Sequence, residues 1–300
     1  MPTSSPIAFV RRYGLSKSVR LALLKATHPI VSILRSNRLP GMRTSLVEEA
    51  ISDLRTQGVH VTSVERLLGP AAPAYREAIA RATAFVAECA GREHPAWTPR
   101  GASTDLGADE LLKRFPEFYL LGLNQQVLSL AEQYLQVPVA YHGAVLRHSL
   151  VDGQQVGPRL WHRDSEDFHV LRTVVYLSDV TEESGPFEYI PRHVEIDARR
   201  DPQMCTSETM QQIVPKSEWR RCCGPAGTVV IADSAQIFHH ESLQRRRDRM
   251  VIMMGHSSRR PTDRELALVH FQVEANAELL ASVVPADAHP HVFGWRQRGH

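Results

Sequence analysis

The sequence has few cysteines and no long apolar run, and these absences exclude several classes of protein. Its four cysteines, Cys89, Cys205, Cys222 and Cys223, include no CxxC pair and have no framework spacing. A disulfide-stapled secreted domain is therefore excluded, and we expect reduced thiols in a cytoplasmic protein. No apolar stretch reaches the roughly 18–20 residues that a membrane-spanning helix needs, so we expect no transmembrane segment.

Acidic residues are missing from the first part of the chain. Residues 1–47 contain eight Lys or Arg residues and no carboxylate, which leaves 27 basic and 33 acidic residues in the remainder. The segment 16–25 has helical spacing. It can pack on the main body, contact a membrane surface or a partner, or belong to a cleaved transit peptide. Only this terminus is basic and no aromatic platform accompanies it, so we expect no binding of nucleic acid.

Helical and strand-like patterns occupy different parts of the chain. Helical periodicity covers residues 45–56, 75–90 and 109–134, and Glu48, three residues after Ser45, indicates a capping box at Ser45. From Val139 the pattern changes to roughly eight short strand-like runs, the last over 268–274. We therefore predict a mainly β fold with N-terminal helices (α+β), built as a jelly-roll core with helices packed outside it.

The same patterns predict how the chain is divided. We expect a basic extension over residues 1–45 and one domain over 46–300, with a helical part (46–138), a jelly-roll core (139–275) and a C-terminal tail (276–300). Segment 92–107 is rich in Pro, Gly and Thr and predicts a loop. Segment 195–222 is polar and predicts an exposed loop in preference to a mobile lid. The tail from Ser282 is expected to be irregular.

A short pattern of metal-binding residue types lies in the middle of the chain. His162 and Asp164 are separated by one residue, between the apolar runs PRLW and LRTVVYL. In a strand, residues i and i+2 point to the same face, so this pair can direct an imidazole and a carboxylate to one point. A second histidine would complete a 2-His-1-carboxylate triad, which leaves open positions on Fe(II) for a co-substrate and O₂.

A second stretch, residues 227–255, contains a suitable histidine and an arginine. His239 begins a strand-like run 77 residues after His162, and the adjacent His240 would face the other way in a strand. Arg249 leads the next apolar run, RMVIMMG. Its guanidinium fork matches a carboxylate bidentately, which is what anchoring a dicarboxylate co-substrate requires.

The pieces WHRD, YLSDV, ESGPFEYIPRH and GTVVIADSAQIFHH, with the arginine that follows, resemble the Fe(II)/2-oxoglutarate oxygenases of the phytanoyl-CoA dioxygenase superfamily. The resemblance covers about residues 139–255, and the preceding helices are also similar to those of the superfamily. The chain departs from the superfamily pattern in two places. Residues 190–193 read IPRH in place of the usual IPGSH, and Glu241 stands where related sequences have glycine.

The resemblance implies a set of ligands and a reaction. His162, Asp164 and His239 would bind iron, and Arg249 would bind the distal carboxylate of 2-oxoglutarate. Tyr176 and Ser242 are further candidates for the 2-oxoglutarate pocket, with a structural role as the alternative for each. The expected cofactors are Fe(II), 2-oxoglutarate and O₂. The expected reaction is hydroxylation of an aliphatic C–H bond with release of succinate and CO₂.

Two other classes of function stay open. A cupin-like metalloenzyme would use the same ligands without 2-oxoglutarate, and it would not need Arg249. A non-catalytic binding protein on the same scaffold would be expected to lose metal ligands first, whereas this chain keeps all three. The expected partner is a small-molecule substrate or carrier-bound metabolite, which the sequence does not define further, and the oligomeric state is open.

Overall fold

Two antiparallel β-sheets face one another in this protein. The computed structural model describes residues 44–89, 97–99, 103–197, 201–243, 246–269 and 277–296. The strands within these ranges are β1 (Val59–Ser63), β2 (Trp97–Pro99), β3 (Ser103–Leu106), β4 (Val139–Ser149), β5 (Trp161–His162), β6 (Leu171–Tyr176), β7 (Phe187–Tyr189), β8 (Met204–Cys205), β9 (Arg220–Cys222), β10 (Thr228–Asp233), β11 (His239–Glu241) and β12 (Arg249–Ser258). The large sheet has the order β1-β10-β6-β12-β4-β3-β2, and the small sheet has the order β8-β5-β11-β7-β9. The predicted jelly-roll core is confirmed.

Helices cover the outer face of the large sheet. In the same ranges they are α1 (Ser45–Thr56), α2 (Val64–Leu68), α3 (Ala72–Cys89), α4 (Ala108–Arg114), α5 (Pro116–Leu121), α6 (Gln125–Leu135), α7 (Ser207–Gln211), α8 (Arg264–Val269), α9 (Ala277–Val283) and α10 (His289–Val292). Leu54 of α1, Ile79 of α3 and Leu130 of α6 join Leu146 and Ile252 of the sheet in one buried cluster. Burial of such side chains contributes about 1.5–3 kcal/mol each. No helix in the described ranges is long and apolar enough to cross a membrane.

The first described helix begins with a different cap from the one predicted. Thr44 has an extended backbone, and its Oγ1 accepts a hydrogen bond from the amide of Val47 at 3.3 Å. Ser45 is already helical, so the prediction of Ser45 as the cap is wrong by one residue. A side-chain acceptor on the residue before the first helical position is the usual arrangement. The basic segment 1–43 lies outside the described residues, and the predictions for it stay predictions.

Two segments that were predicted as loops contain strands. Segment 92–107 includes β2 and β3, which pair with each other and extend the large sheet through β4. A buried ion pair between Asp105 and Arg147 joins this hairpin to β4. Segment 195–222 includes β8 and β9, the two edges of the small sheet, together with α7. Its buried Met210 and Trp219 are too sparse along the chain to give a periodic signal, so composition alone was misleading.

The C-terminal part is more helical than predicted. The run 268–274 was predicted as a strand, but its first residues end α8, and 270–276 lie outside the described residues. Helix α8 is favoured because Asp263 caps it: its Oδ1 accepts from the amide of Leu266 at 3.1 Å. The tail contains α10 in place of irregular chain, and Trp295, three residues after that helix, is buried against Ala140 and Ala267.

The space between the sheets combines an apolar core with charged side chains. Tyr176, Val230 and Val251 of the large sheet pack there with Phe187 of the small sheet. Arg172 lies on the same strand as Tyr176, four residues earlier, and therefore on the same face. Arg249 begins β12 two residues before Val251 and shares its face. The inter-sheet space thus contains buried cations, which is unusual for a protein core.

Candidate functional site

Two histidines stand opposite each other in the small sheet. His162 ends β5 and His239 begins β11, and they are direct partners in the antiparallel register. Their ring centroids are 4.4 Å apart. Asp164 follows β5 in a loop that is fixed where its amide donates to the carbonyl of Ser234 at 3.0 Å. The possible ligand atoms of His162, Asp164 and His239 all lie within 4.8 Å of one another. The structure therefore brings together the three side chains that the sequence motif selected.

Both histidines turn the same ring nitrogen toward the backbone. Nδ1 of His162 lies 2.7 Å from the carbonyl of Leu160, and Nδ1 of His239 lies 3.4 Å from the carbonyl of Ile237. A carbonyl oxygen only accepts hydrogen bonds, so each Nδ1 carries a proton, and in the neutral form of each ring the lone pair lies on Nε2. Burial, together with the neighbouring His162, lowers the pKa of His239 to about 3. A neutral imidazole with a free lone pair is the form that binds a metal.

The carboxylate of Asp164 is held by an arginine of the large sheet. Nε of Arg172 donates to Oδ2 of Asp164 at 2.7 Å, and Nη2 of Arg172 contacts the buried carboxylate of Glu166. The other oxygen of Asp164, Oδ1, lies 3.7 Å from Nε2 of His162. Burial by itself would raise the pKa of Asp164, but Arg172 and the two histidines hold that pKa well below its usual value. The carboxylate is therefore charged, with one oxygen bound to Arg172 and the other directed toward the imidazole of His162.

Arg172 was not selected from the sequence, although a signal for it exists. It lies within the apolar run LRTVVYL, where alternation gives it the same face as Val174 and Tyr176. A charged residue at an inward position of a buried strand is rare unless it has a partner. The partner itself, Asp164, cannot be read from that strand, because the contact joins two different sheets.

A second charged group lies between the sheets around Arg249. Nη2 of this buried arginine is 2.5 Å from Oε2 of Glu241. The other oxygen of Glu241 lies 3.6 Å from Nε of Arg159, which is also buried. Nε of Arg249 is buried and has no hydrogen-bond partner among the described residues. An unsatisfied buried donor on a cation is unfavourable, and an additional acceptor at this position would relieve it.

The other two residues proposed for the 2-oxoglutarate pocket bind the backbone. The hydroxyl of Tyr176 donates to the carbonyl of Cys222 at 2.6 Å, and Oγ of Ser242 donates to the carbonyl of Pro186 at 3.1 Å. Burial raises the pKa of Tyr176, and the nearby charge of Arg249 opposes that rise. Tyr176 therefore lies near Arg249, while the assignment of both hydroxyls to a ligand pocket stays a prediction.

Side chains next to the candidate ligands face the opposite side of the small sheet. Nε2 of His240 lies 2.9 Å from Oε2 of Glu188, and its Nδ1 lies 3.0 Å from the carbonyl of Arg159. Both ring nitrogens of His240 are therefore occupied by acceptors. Arg163, between the first two candidate ligands, donates to Asp201 at 2.7 Å, which is the outward ion pair expected from strand alternation.

Two further histidines near the motif do not join the group. Nδ1 of His169 lies 2.5 Å from Oδ2 of buried Asp233, and that oxygen also accepts from the hydroxyl of Tyr134 at 2.7 Å. His193 is exposed. The spacing of these residues had already made them weaker candidates than His239, and the structure gives them other surroundings.

A separate group of ligand-type residues lies on α1 and β1. The possible ligand atoms of Glu49, Asp53 and His60 are within 4.8 Å of one another. Each already has a neighbour: Arg66 donates to Glu49 at 2.7 Å, and Nδ1 of His60 lies 2.8 Å from Asp53. Because Glu49 is exposed, Asp53 is half-buried and these contacts satisfy both carboxylates, the group forms an ion-pair cluster near the surface.

Comparison with known proteins identifies a family and a fold. A sequence profile of the family described as phytanoyl-CoA dioxygenase (PhyH) matches residues 62–246. This range contains all three candidate ligands, and Arg249 lies just beyond it. A search of the curated proteins found no match to the sequence.

Two solved structures share the fold. The non-heme alpha ketoglutarate dependent epimerase SnoN from nogalamycin biosynthesis is 13% identical with a TM-score of 0.50, over 72% of this chain and 82% of that chain. SnoN in complex with Fe3+, alpha ketoglutarate and nogalamycin RO is 14% identical with a TM-score of 0.51, over 74% of this chain and 89% of that chain. At these identities the likeness concerns the fold.

Proposed function

This chain belongs to the phytanoyl-CoA dioxygenase (PhyH) family, and from this membership and the geometry of its site we propose that it is an Fe(II)- and 2-oxoglutarate-dependent dioxygenase. The proposed reaction hydroxylates an aliphatic C–H bond of a small-molecule or carrier-bound metabolite and releases succinate and CO₂. One observation carries the proposal: His162, Asp164 and His239 have their possible ligand atoms within 4.8 Å of one another. Two imidazoles and one carboxylate are the donor set of non-haem Fe(II) oxygenases.

The residues around this group suit a metal ion. Nε2 of His162 and Nε2 of His239 would bind it, since each Nδ1 is engaged with a carbonyl. Asp164 would bind through one oxygen, because Arg172 occupies the other. Such contacts from outside the ligand set orient the ligands and fix their protonation.

Arg249 would hold the distal carboxylate of 2-oxoglutarate. Its guanidinium is buried between the sheets, where a charge-assisted pair is screened little by solvent, and its Nε has no partner in the described part of the chain. The solved structure of SnoN contains Fe3+ and alpha ketoglutarate on the same fold, which supports the same pair of cofactors here. The iron, with 2-oxoglutarate and O₂, supplies the oxidising chemistry, while the protein binds and orients the reactants.

The candidate ligands lie in a partly enclosed space that has apolar side chains beside the charged ones. The ring of Phe187 stacks on His239 with centroids 5.3 Å apart and limits access of water from that side. The side chains of His162 and Asp164 keep 16% and 11% exposure, so the group is open in their direction. Met204, the partner of His162 in β8, is 52% exposed. An apolar side chain at this rim is suited to an aliphatic part of a substrate.

A cupin-like metalloenzyme that does not use 2-oxoglutarate is the second candidate. One observation favours it: Arg249 is already paired with a carboxylate of the chain itself, Glu241. A non-catalytic binding protein is the third candidate, and the complete ligand set speaks against it. These candidates differ in whether iron and 2-oxoglutarate bind together, and therefore one titration separates them.

The test is an anaerobic titration of metal-free protein with Fe(II) and then 2-oxoglutarate, monitored by the visible metal-to-ligand charge-transfer band. We expect the band in the wild type, its loss in His162→Ala and His239→Gln, and its weakening in Arg249→Met. His240→Gln is the matched control for His239→Gln and should keep the band. Iron binding without a band in the wild type would favour the cupin-like enzyme, and absence of iron binding would leave a binding scaffold.

A further inference from the structure

The carboxylate of Glu241 occupies the nitrogen of Arg249 that a co-substrate would also use. Oε2 of Glu241 lies 2.5 Å from Nη2 of Arg249. We propose that Glu241 determines the affinity and selectivity of the 2-oxoglutarate subsite: it competes with the distal carboxylate for Arg249 and pairs with Arg159 when the dicarboxylate is bound. This inference rests on the proposed function and concerns a residue for which the family pattern has glycine.

The pair between Glu241 and Arg249 is incomplete, as a neighbouring ion pair makes clear. Arg147 on the adjacent strand β4 is bound bidentately by Asp105, through Nε at 2.7 Å and Nη2 at 2.8 Å. In contrast, the contact to Arg249 joins Nη2 to one oxygen, and Nε of Arg249 has no partner among the described residues. The Nε and Nη2 edge of a guanidinium binds a carboxylate bidentately. An incoming carboxylate can therefore form the complete pair that Glu241 does not form.

Arg159 gives the displaced carboxylate a second cation. Oε1 of Glu241 already lies 3.6 Å from Nε of Arg159. Arg159 is held in place by the carboxylate of Asp152 and by the carbonyl of Leu150, to which Nη2 donates at 2.6 Å. A buried carboxylate that loses its cation is strongly destabilised, so displacement requires such a neighbour. With a dicarboxylate bound at Arg249, Glu241 would therefore keep a cationic neighbour in Arg159.

The position of Glu241 along β11 matches this competition. His239 and Glu241 are two residues apart, share one face of the strand, and are therefore about 6–7 Å apart along it. His239 belongs to the candidate metal group, and Glu241 reaches Arg249. The strand thus runs from the metal group toward the arginine. A 2-oxo acid without a distal carboxylate would bind the metal without having to displace Glu241 from Arg249.

The test compares two 2-oxo acids on the Fe(II)-loaded protein under anaerobic conditions. 2-Oxoglutarate and 2-oxopentanoate have the same five-carbon chain, but only the first has a distal carboxylate. Dissociation constants are measured from the charge-transfer band. We expect Glu241→Gln to bind 2-oxoglutarate about tenfold more tightly than wild type, which corresponds to about 1.4 kcal/mol. Its affinity for 2-oxopentanoate should be unchanged.

The same substitution at an exposed position provides the control. Glu183 pairs with Arg246 at 3.4 Å on the surface, and Glu183→Gln should change neither affinity. Weaker binding of 2-oxoglutarate by Glu241→Gln would overturn the proposal, because Glu241 would then position Arg249 and not compete for it. An equal increase in affinity for both acids would also overturn the proposal, because the substitution would then act on binding at the iron and not at Arg249. If Glu241→Gln is unfolded, Glu241→Asp takes its place. It should bind 2-oxoglutarate more tightly than wild type does and 2-oxopentanoate equally well, and unchanged affinity for 2-oxoglutarate would count against competition.

Failure of the proposed function has a different signature. If the wild-type protein gives no charge-transfer band with either acid, the proposed dependence on 2-oxoglutarate is wrong. That result leaves the competition at Arg249 to be tested separately. Calorimetric titration of glutarate, which has two carboxylates and no keto group, then tests Glu241 separately. Tighter binding by Glu241→Gln than by wild type supports competition, and equal binding overturns it.

Discussion

Replacing Arg172 with methionine removes the cation that holds Asp164 while keeping most of the apolar volume of the side chain. The arginine is largely buried, at 11% exposure, and it contacts Asp164 at 2.7 Å as well as Glu166, which is 1% exposed. Removing one partner of a buried ion pair costs about 3–5 kcal/mol, because the remaining charge is left without compensation. We expect Arg172→Met to lower the free energy of unfolding of the metal-free protein by an amount in that range.

A divalent cation should recover part of this loss. The metal would sit beside Asp164 and would neutralise the carboxylate that Arg172 no longer balances. Binding to the folded state alone stabilises a protein in proportion to the logarithm of the metal concentration over its dissociation constant. The measurement is urea unfolding of wild type and variant, each without metal and with saturating Fe(II) under anaerobic conditions. The variant should gain more from the metal than wild type does.

Arg163→Met is the matched control, since Arg163 also neighbours the candidate ligands but pairs with Asp201 on the opposite side of the sheet. Its loss of stability should be the same with and without metal. A loss below about 1 kcal/mol in Arg172→Met, typical of an exposed ion pair, would refute a buried neutralising role for Arg172. An equal gain from metal in all three proteins would refute the link between Arg172 and the charge of Asp164.

Two further predictions concern parts of the fold away from the site. Thr44→Ala should lower the free energy of unfolding by about 1 kcal/mol, because the amide of Val47 loses its acceptor. Ser45→Ala should have little effect. Equal losses of stability in urea unfolding would indicate that Ser45 is the cap. Burial lowers the pKa of His256 to about 4. Between about pH 6.5 and pH 4, His256 is therefore protonated in the unfolded chain but neutral in the folded protein. Stability should therefore decline as the pH falls from about 6.5 to about 4, and His256→Gln should make this decline shallower; an unchanged pH dependence in the variant would contradict the depressed pKa.

Local motifs predicted the fold and selected three side chains that the structure brings together, but they predicted few of the ion pairs. The pair His162 and Asp164 is visible in the sequence because only one residue separates the two, and strand alternation predicts one common face for both side chains. The contrast between His239 and His240 also follows from alternation along one strand. These features need only the chain's own local geometry together with the family resemblance.

Contacts between elements that lie far apart in the sequence could not be predicted from the sequence alone. Glu241 was noted as a departure from the family pattern, but its pairing with Arg249 depends on the distance between the two sheets. The role of Arg172 does not follow from its apolar run, because its partner Asp164 comes from the other side of the inter-sheet space. The segment around Trp219 was expected to be an exposed loop, since its few apolar residues become a core only when they pack against Trp161.

The direct pairing of His162 with His239 has a consequence for how metal binding relates to folding. The two residues are 77 positions apart in the sequence, and bringing such distant positions together in an unfolded chain has an entropic cost of about 4.5 kcal/mol by loop-closure estimates. Here backbone pairing in the small sheet brings the two residues together, so closing that loop does not require the ion. Metal affinity should therefore reflect coordination alone, and a chelator should strip the ion while the protein stays folded, unlike small metal-dependent domains that unfold when their ion is removed.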